Sequence, residues 1–243
     1  MPMPKTLVTK KLFFKKYPFK VGCEVRGGSD IIRHGVDWTL EYARTEGQSD
    51  VRRNKLHTWG MLYNPRQNQI DYADLEKFIL TVQQFLSNEK LKFRVEGSRF
   101  NIYCLDKDMY NDLNSNLYPW VRELTAPKTD QDLSYLLSNR TKILVDKLPY
   151  DTYMYKVMLR PGTGGLSTDK RSKFLTWAQR YTQDCRIRIG ASTGKWLRGN
   201  SQYCQAPFIY VKDANVLTLV ELYLGNKISS VDEYVLRSTV DLV

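Results

Sequence analysis

The two histidines of the chain, His34 and His57, are the first side chains to consider for chemistry. An imidazole changes its charge near neutral pH, so either histidine could serve as a general base without a metal ion. Both lie in a stretch that also holds the basic residues Arg52 and Arg53. One hypothesis is therefore a metal-independent endoribonuclease that uses His34 or His57, and the alternative is that both histidines are structural.

The four cysteines do not predict a metal site. Cys23, Cys104, Cys185 and Cys204 show no paired close spacing, and two histidines cannot complete a zinc-binding pattern. Cys23 and Cys104 fall on apolar strand faces, so we expect them to be buried free thiols. The sequence predicts neither a metal nor a cofactor.

Two close pairs of aspartates, Asp106 with Asp108 and Asp130 with Asp132, could in principle hold a catalytic metal. A two-metal nuclease or polymerase centre needs acidic groups that converge from several strands, and this pattern is missing. Asp106 is matched by Asp213 downstream, so we interpret both as helix caps. We therefore expect binding rather than catalysis to be the main activity.

The elements around these aspartates repeat. Segments 101–109 and 208–216 both read as a buried strand, an aspartate cap and a helix. Four more pairs of segments match in the same order, namely 5–12 with 142–148, 17–21 with 153–157, 77–79 with 173–175, and 92–95 with 186–189. This self-similarity predicts a tandem duplication.

Each half reads β-α-β-β-α-β, which predicts an α+β fold of two ferredoxin-like units. The first unit covers residues 1–125 and carries a long insertion at 26–72. A connector at 126–141 leads to the second unit at 142–243. Within the insertion we predict a helix over Asp30–Arg44 and a short strand over His57–Tyr63.

Net charge indicates the class of partner. The chain has 37 lysine and arginine residues against 26 aspartate and glutamate residues, a net charge of +11. This charge is spread through folded segments instead of a tail, which favours a surface that binds phosphate backbones. Apolar runs such as Val216–Val220 are too short to cross a bilayer, and the N-terminus lacks a signal-peptide core, so we expect a cytoplasmic protein without a membrane partner.

Strand phase predicts which side chains form the open face of each sheet. If Phe93, Val95, Ile102 and Cys104 face the helices, their neighbours along the strands face outward. The predicted outward-facing residues are Lys20, Lys92, Arg94 and Tyr103 in the first unit and Lys156, Arg186, Arg188 and Tyr210 in the second. Such faces combine cations for phosphates with rings on which bases stack.

In its architecture this arrangement resembles RNA-recognition-motif domains, which bind single-stranded RNA on a sheet face. Tandem ferredoxin-like units with a histidine just after the first strand also occur in CRISPR-RNA-processing endoribonucleases, which this chain resembles in layout, with His34 or His57 as the histidine. The resemblance to the first group implies RNA binding, and the resemblance to the second implies RNA cleavage.

A glycine-rich stretch, Gly190–Asn200, adds Lys195, Trp196 and Arg198. It is not a nucleotide-hydrolysing loop, because only three residues separate Gly190 from Gly194 and Trp196 stands where Ser or Thr is needed. We interpret the stretch as a flexible basic finger with an aromatic tip, and an ordinary long hairpin loop is the alternative.

The sequence thus predicts a nucleic-acid-binding protein, with single-stranded RNA preferred over DNA. A third hypothesis is a viral structural or assembly protein that packages nucleic acid. In that case the protein would be found in the host cell or the virion, and we would expect it to self-associate.

Overall fold

The computed structural model describes residues 3–48, 70–96, 98–161, 165–201 and 203–240. The chain divides into two compact units, Met1–Leu133 and Ser134–Val243. Within the described residues it is an α+β protein with two five-stranded mixed sheets and nine α-helices. The α+β class expected from the sequence is therefore confirmed. No helix in this described part of the chain is long and apolar enough to cross a membrane.

The first unit contains one five-stranded sheet and the helices that pack on it. Its elements in chain order are β1 (Lys5–Val8), β2 (Phe19–Glu24), α1 (Ser29–His34), α2 (Val36–Gln48), α3 (Tyr72–Leu86), β3 (Leu91–Glu96), β4 (Arg99–Cys104), α4 (Lys107–Leu117) and β5 (Val121–Ala126). The strand order is β1-β5-β2-β4-β3, in which β1 runs parallel to β5 and the other neighbours are antiparallel. Helix α5 (Asp130–Ser138) spans the boundary between the units.

The second unit has a sheet of the same design. Its elements are β6 (Lys142–Val145), β7 (Tyr155–Leu159), α6 (Thr168–Gln183), β8 (Ile187–Ile189), α7 (Ala191–Leu197), β9 (Phe208–Val211), α8 (Ala214–Leu224), β10 (Ile228–Leu236) and α9 (Arg237–Val240). The strand order is β6-β10-β7-β9-β8, with β6 parallel to β10 and the other neighbours antiparallel. The two sheets share one strand order, which is compatible with a duplication.

Three aspartates cap the starts of helices, and two of them, Asp106 and Asp213, are the caps that the sequence predicts. Asp71 accepts a hydrogen bond from the Asp74 amide at 3.0 Å at the start of α3. Asp106 accepts one from the Met109 amide at 2.8 Å at the start of α4. Asp213 accepts one from the Val216 amide at 3.0 Å at the start of α8. Each carboxylate satisfies an amide that would otherwise lack a partner in the first helical turn.

The predicted strand phase is also confirmed. Ile102 and Cys104 are fully buried in the core of the first unit, and Phe93 and Val95 pack against the same core. Ile209 is fully buried in the core of the second unit. Every second residue of these strands therefore faces the opposite, open side of its sheet.

Several predicted boundaries need correction. The helix expected over Asp30–Arg44 is two helices, α1 and α2, because Gly35 between them adopts a left-handed φ of 88° that ends α1. The stretch expected as a long loop after β8 contains helix α7. The matched segments 5–12 and 142–148 contain the edge strands β1 and β6, which the β-α-β-β-α-β reading of each half does not include. The strand predicted over His57–Tyr63 lies outside the described residues.

Candidate nucleic-acid interface

The central candidates form one lateral row across each sheet. Tyr103 on β4 lies between Lys20 on β2 and Lys92 on β3 in the pairing register. Tyr210 on β9 takes the same place in the second unit, between Lys156 on β7 and Arg188 on β8. Each sheet therefore brings a tyrosine and two cations together on its open face.

The chain segment before β2 folds over this row. The Lys16 amide donates to the Phe13 carbonyl at 3.0 Å, and this closes a tight turn with Phe14 and Lys15 at its centre. The φ angles of Phe14 and Lys15 are 53° and 57°, so both central residues are left-handed. We call residues 10–17, which include this turn, the first aromatic turn.

The segment before β7 forms the same structure in the second unit. The Thr152 amide donates to the Pro149 carbonyl at 3.2 Å, and the central residues Tyr150 and Asp151 have φ angles of 52° and 61°. Two flanking hydrogen bonds also match between the units. The Lys15 amide donates to the Leu12 carbonyl as the Asp151 amide donates to the Leu148 carbonyl. The Tyr17 amide donates to the Phe13 carbonyl as the Tyr153 amide donates to the Pro149 carbonyl. We call residues 146–153 the second aromatic turn.

Both turns hold non-glycine residues in a conformation that favours glycine. A left-handed backbone costs an L-residue roughly 1–2 kcal/mol, and each turn contains two such residues in succession. Strained backbone persists only where surrounding contacts over-determine it. The contacts that hold the turn should therefore be found at its side chains.

In the first unit those contacts come from the phenylalanine rings. The Phe14 ring meets Tyr103 edge-on, with centroids 4.9 Å apart, and the Lys92 ammonium lies 4.6 Å from the Phe14 centroid. Phe13 covers Tyr103 from another side at 5.1 Å. As a result Tyr103 is only 6% exposed, and this burial raises its pKa. The expectation that Tyr103 offers a free stacking surface is wrong, because the chain itself covers the ring.

Tyrosines make the equivalent contacts in the second unit. The Tyr150 ring lies 3.8 Å from the Arg188 guanidinium and meets Tyr210 edge-on at 5.6 Å. Tyr153 lies 6.0 Å from Tyr210. Burial raises the pKa of Tyr210, which like Tyr103 is covered by its own chain although less completely.

The two turn residues that cover these rows are themselves exposed. Phe14 is 46% exposed and Tyr150 is 57% exposed. Each ring therefore presents an outer surface to solvent while a cation and a tyrosine hold it from the sheet. An exposed ring therefore recurs at the equivalent turn position in both units.

Most of the predicted sheet-face cations have partners within the protein. In the first unit Lys20 forms an ion pair with Glu123, and the Arg94 Nε lies 2.8 Å from Glu96. In the second unit Arg186 lies 3.6 Å from Asp213, and the Lys156 ammonium lies 4.2 Å from the Phe208 ring centroid. The three carboxylates reduce the net charge that the sheet faces can offer to a phosphate, whereas the Phe208 ring leaves the charge of Lys156 unchanged.

The predicted basic finger after β8 is not a finger. Trp196 lies on α7 and is 1% exposed, packed in the core of the second unit with the Arg171 guanidinium 4.2 Å from its ring. The Thr193 hydroxyl accepts a hydrogen bond from the Phe208 amide at 3.1 Å, which fixes α7 to the sheet. Trp196 is therefore a core residue and not an aromatic tip, whereas Lys195 and Arg198 remain exposed.

Of the two histidine candidates, only His34 lies among the described residues. His34 is exposed at the end of α1, and its ring lies 4.5 Å from that of Trp38. His57, Arg52 and Arg53 lie outside the described residues. In the part of the chain that is described, no group of three or more metal-binding side chains comes together.

The cysteines behave as expected of free thiols. Cys23 and Cys104 are buried, and burial raises the pKa of each thiol to about 12. Cys185 is exposed and Cys204 is partly exposed. The buried pair is therefore protonated and unreactive at neutral pH.

Sequence reasoning missed the rings that cover the rows, Phe14 and Tyr150. Both stand three residues before a matched tyrosine of the repeat, Tyr17 and Tyr153. Extending the match of 17–21 with 153–157 by three residues toward the N-terminus aligns Phe14 with Tyr150. No protein-family model matches the chain, and neither the curated proteins nor the solved structures give a significant match.

Proposed function

We propose that this protein binds single-stranded nucleic acid, RNA in preference to DNA, and that Phe14 and Tyr150 are its base-stacking platforms. The observation that supports the proposal is the repeated exposed ring, held at the same place over a cation and a tyrosine in both units. Every base has a flat π face, so an exposed aromatic ring can stack any unpaired base.

The contacts of the rings suit this role. The cation and the tyrosine edge fix the orientation of the ring before a ligand arrives, so little side-chain freedom is lost on binding. The net charge of +11 supplies the attraction for a phosphate backbone. Unpaired bases are the targets because stacked bases inside a duplex hide their faces.

We further propose that each unit is a ferredoxin-like unit extended by one parallel edge strand. The support is the order of the antiparallel strands, β5-β2-β4-β3 in the first unit and β10-β7-β9-β8 in the second. If these four strands are numbered one to four along the chain within each unit, both sheets have the spatial order 4-1-3-2. In this arrangement the aromatic turn leads into the first of the four strands and crosses the open face.

The test is fluorescence anisotropy with labelled single-stranded RNA and DNA of mixed sequence over a salt series. The variant Phe14→Ala with Tyr150→Ala removes both platforms, and Tyr118→Ala removes a similarly exposed ring outside the two aromatic turns. Loss of a stacked base costs about 1–3 kcal/mol, so each platform should contribute roughly 5- to 150-fold in affinity. The Tyr118 control should bind like the unchanged protein.

Two results would refute the proposal. The first is that the unchanged protein fails to bind either oligomer at low salt. The second is that the double variant, shown to be folded by far-UV circular dichroism, binds as tightly as the unchanged protein. The RNA is run on a gel after each titration, because shortened fragments would reveal cleavage and support the endoribonuclease hypothesis instead.

A further inference from the structure

The two aromatic turns have the same backbone but opposite charge. From this we infer that the first turn binds the phosphate backbone of the single strand, whereas the second turn contributes only a ring. The inference rests on the proposed function, because it assigns separate tasks to the two platforms.

The shared hydrogen bonds match the residues of the two aromatic turns position by position. Lys15 and Asp151 occupy the second central position of their turns, and Lys16 and Thr152 the position that closes them. With the same spacing, Lys10 corresponds to Asp146 and Lys11 to Lys147. The first turn thus carries four lysines, whereas the second carries two aspartates and one lysine.

The lysines of the first turn are placed to reach a ligand on Phe14. Lys10, Lys15 and Lys16 are exposed, and Lys15 and Lys16 directly follow Phe14 in the turn. The Lys16 ammonium lies 5.2 Å from the centroid of the Tyr17 ring, within the same turn. A nucleotide whose base stacks on Phe14 carries its phosphates close to the turn, so the flexible lysine side chains of the turn can contact them. A lysine binds phosphate as a mobile point charge, so no fixed fork geometry is required.

The second turn compensates its own charges. The Lys147 ammonium lies 2.9 Å from the Asp151 carboxylate, and Arg237 donates to the Asp146 carboxylate at 2.8 Å. Each of these carboxylates pairs with a cation, and the one lysine of the turn is used in such a pair, so the second turn offers no unpaired lysine to a phosphate. Base stacking does not require a charged partner, so the Tyr150 ring can still stack on an unpaired base.

The experiment measures how affinity depends on salt. For single strands the slope of log affinity against log salt is about −0.7 per neutralised phosphate, so loss of two contacts should reduce its magnitude by about 1.4. The test variant is Lys15→Gln with Lys16→Gln. The control is Lys170→Gln with Lys173→Gln, which removes the same charge from exposed positions on α6. We expect the shallower slope with RNA and with DNA, because the phosphate backbone is common to both.

A reciprocal variant tests the second turn. Asp151→Lys places a lysine where the first turn has Lys15, and this lysine should increase the magnitude of the slope by about 0.7. Lys147 loses its acidic partner in the same variant and can add up to about 0.7 more. Far-UV circular dichroism of each variant ensures that only folded proteins are compared.

The outcomes separate this inference from the proposed function. If the unchanged protein binds but the Lys15 and Lys16 variant keeps the slope of the α6 control, the phosphate-binding role of the first turn is overturned and the stacking proposal stands. If the unchanged protein does not bind at low salt, the proposed function itself fails. A slope that falls only in the Lys15 and Lys16 variant supports the inference.

Discussion

Removal of the Tyr150 ring should destabilise the second unit by an amount that follows from its contacts. The ring faces the Arg188 guanidinium at 3.8 Å and pairs with Tyr153 and Tyr210 at 6.2 and 5.6 Å. An exposed cation–π contact contributes about 0.5–1 kcal/mol, and an aromatic pair about 0.5–1.5 kcal/mol beyond area burial. Because more than half of the ring is exposed, we take the low end of each range and expect Tyr150→Ala to lower the free energy of unfolding by roughly 1.5 kcal/mol.

The conservative variant Tyr150→Phe is the matched control. Phenylalanine already occupies the equivalent position as Phe14, where it makes the same edge-on contact with a tyrosine and lies against a lysine ammonium. Tyr150→Phe should therefore stay within about 0.5 kcal/mol of the unchanged protein. The left-handed backbone cost is common to tyrosine, phenylalanine and alanine, so it cancels in the comparison.

The assay is equilibrium urea unfolding followed by far-UV circular dichroism and tryptophan fluorescence. A double-mutant cycle with Arg188→Ala isolates the cation–π contact, for which we expect a coupling of about 0.5–1 kcal/mol. If Tyr150→Ala unfolds at the same urea concentration as Tyr150→Phe, the ring does not hold the turn on the sheet. The account of the strained turn would then be wrong, even if nucleic-acid binding were intact.

Two further predictions concern groups whose ionisation is set by burial. Burial raises the pKa of Tyr234 to about 12, above the value of about 10 in an unfolded chain. The contribution of the protonated Tyr234 to stability is therefore complete below about pH 10 and is lost as the pH rises toward 12. Urea midpoints measured from pH 9 upward should therefore fall less steeply in Tyr234→Phe, and equal slopes would contradict this. A second measurement is mass spectrometry after brief alkylation of the native protein near pH 8. It should find label on Cys185 and on partly exposed Cys204. It should find none on Cys23 or Cys104, because burial raises the pKa of these thiols to about 12. Label on the buried pair before urea is added would contradict their assigned burial.

The sequence was informative wherever one local rule decided the outcome. Alternation along the strands placed Ile102 and Cys104 in the core, and this fixed Tyr103 on the other face. The aspartates before α4 and α8 cap those helices because a short carboxylate can reach the amides of the first turn. These features depend on residues within a few positions of one another.

The sequence failed where distant segments decide the environment. Tyr103 lies on the predicted face, but its exposure depends on a turn of Phe14 and Lys15 that no glycine or asparagine marks. Trp196 was assigned to a loop tip because glycines surround it, yet burial of its ring in the core stabilises the short helix α7. Neither outcome follows from periodicity or from turn composition.

The edge strands β1 and β6 have a consequence for the order of folding. In the first unit the aromatic turn connects β1 to β2, and both of these strands pair with β5, the last strand of that unit. The second turn connects β6 to β7, and both pair with β10 in the same way. Contacts between residues far apart in sequence form late because loop closure must come first. The aromatic turn of each unit is therefore anchored at both ends only after the last strand of that unit has been synthesised and has joined the sheet. A ribosome-bound chain that lacks that strand has no completed aromatic turn in that unit.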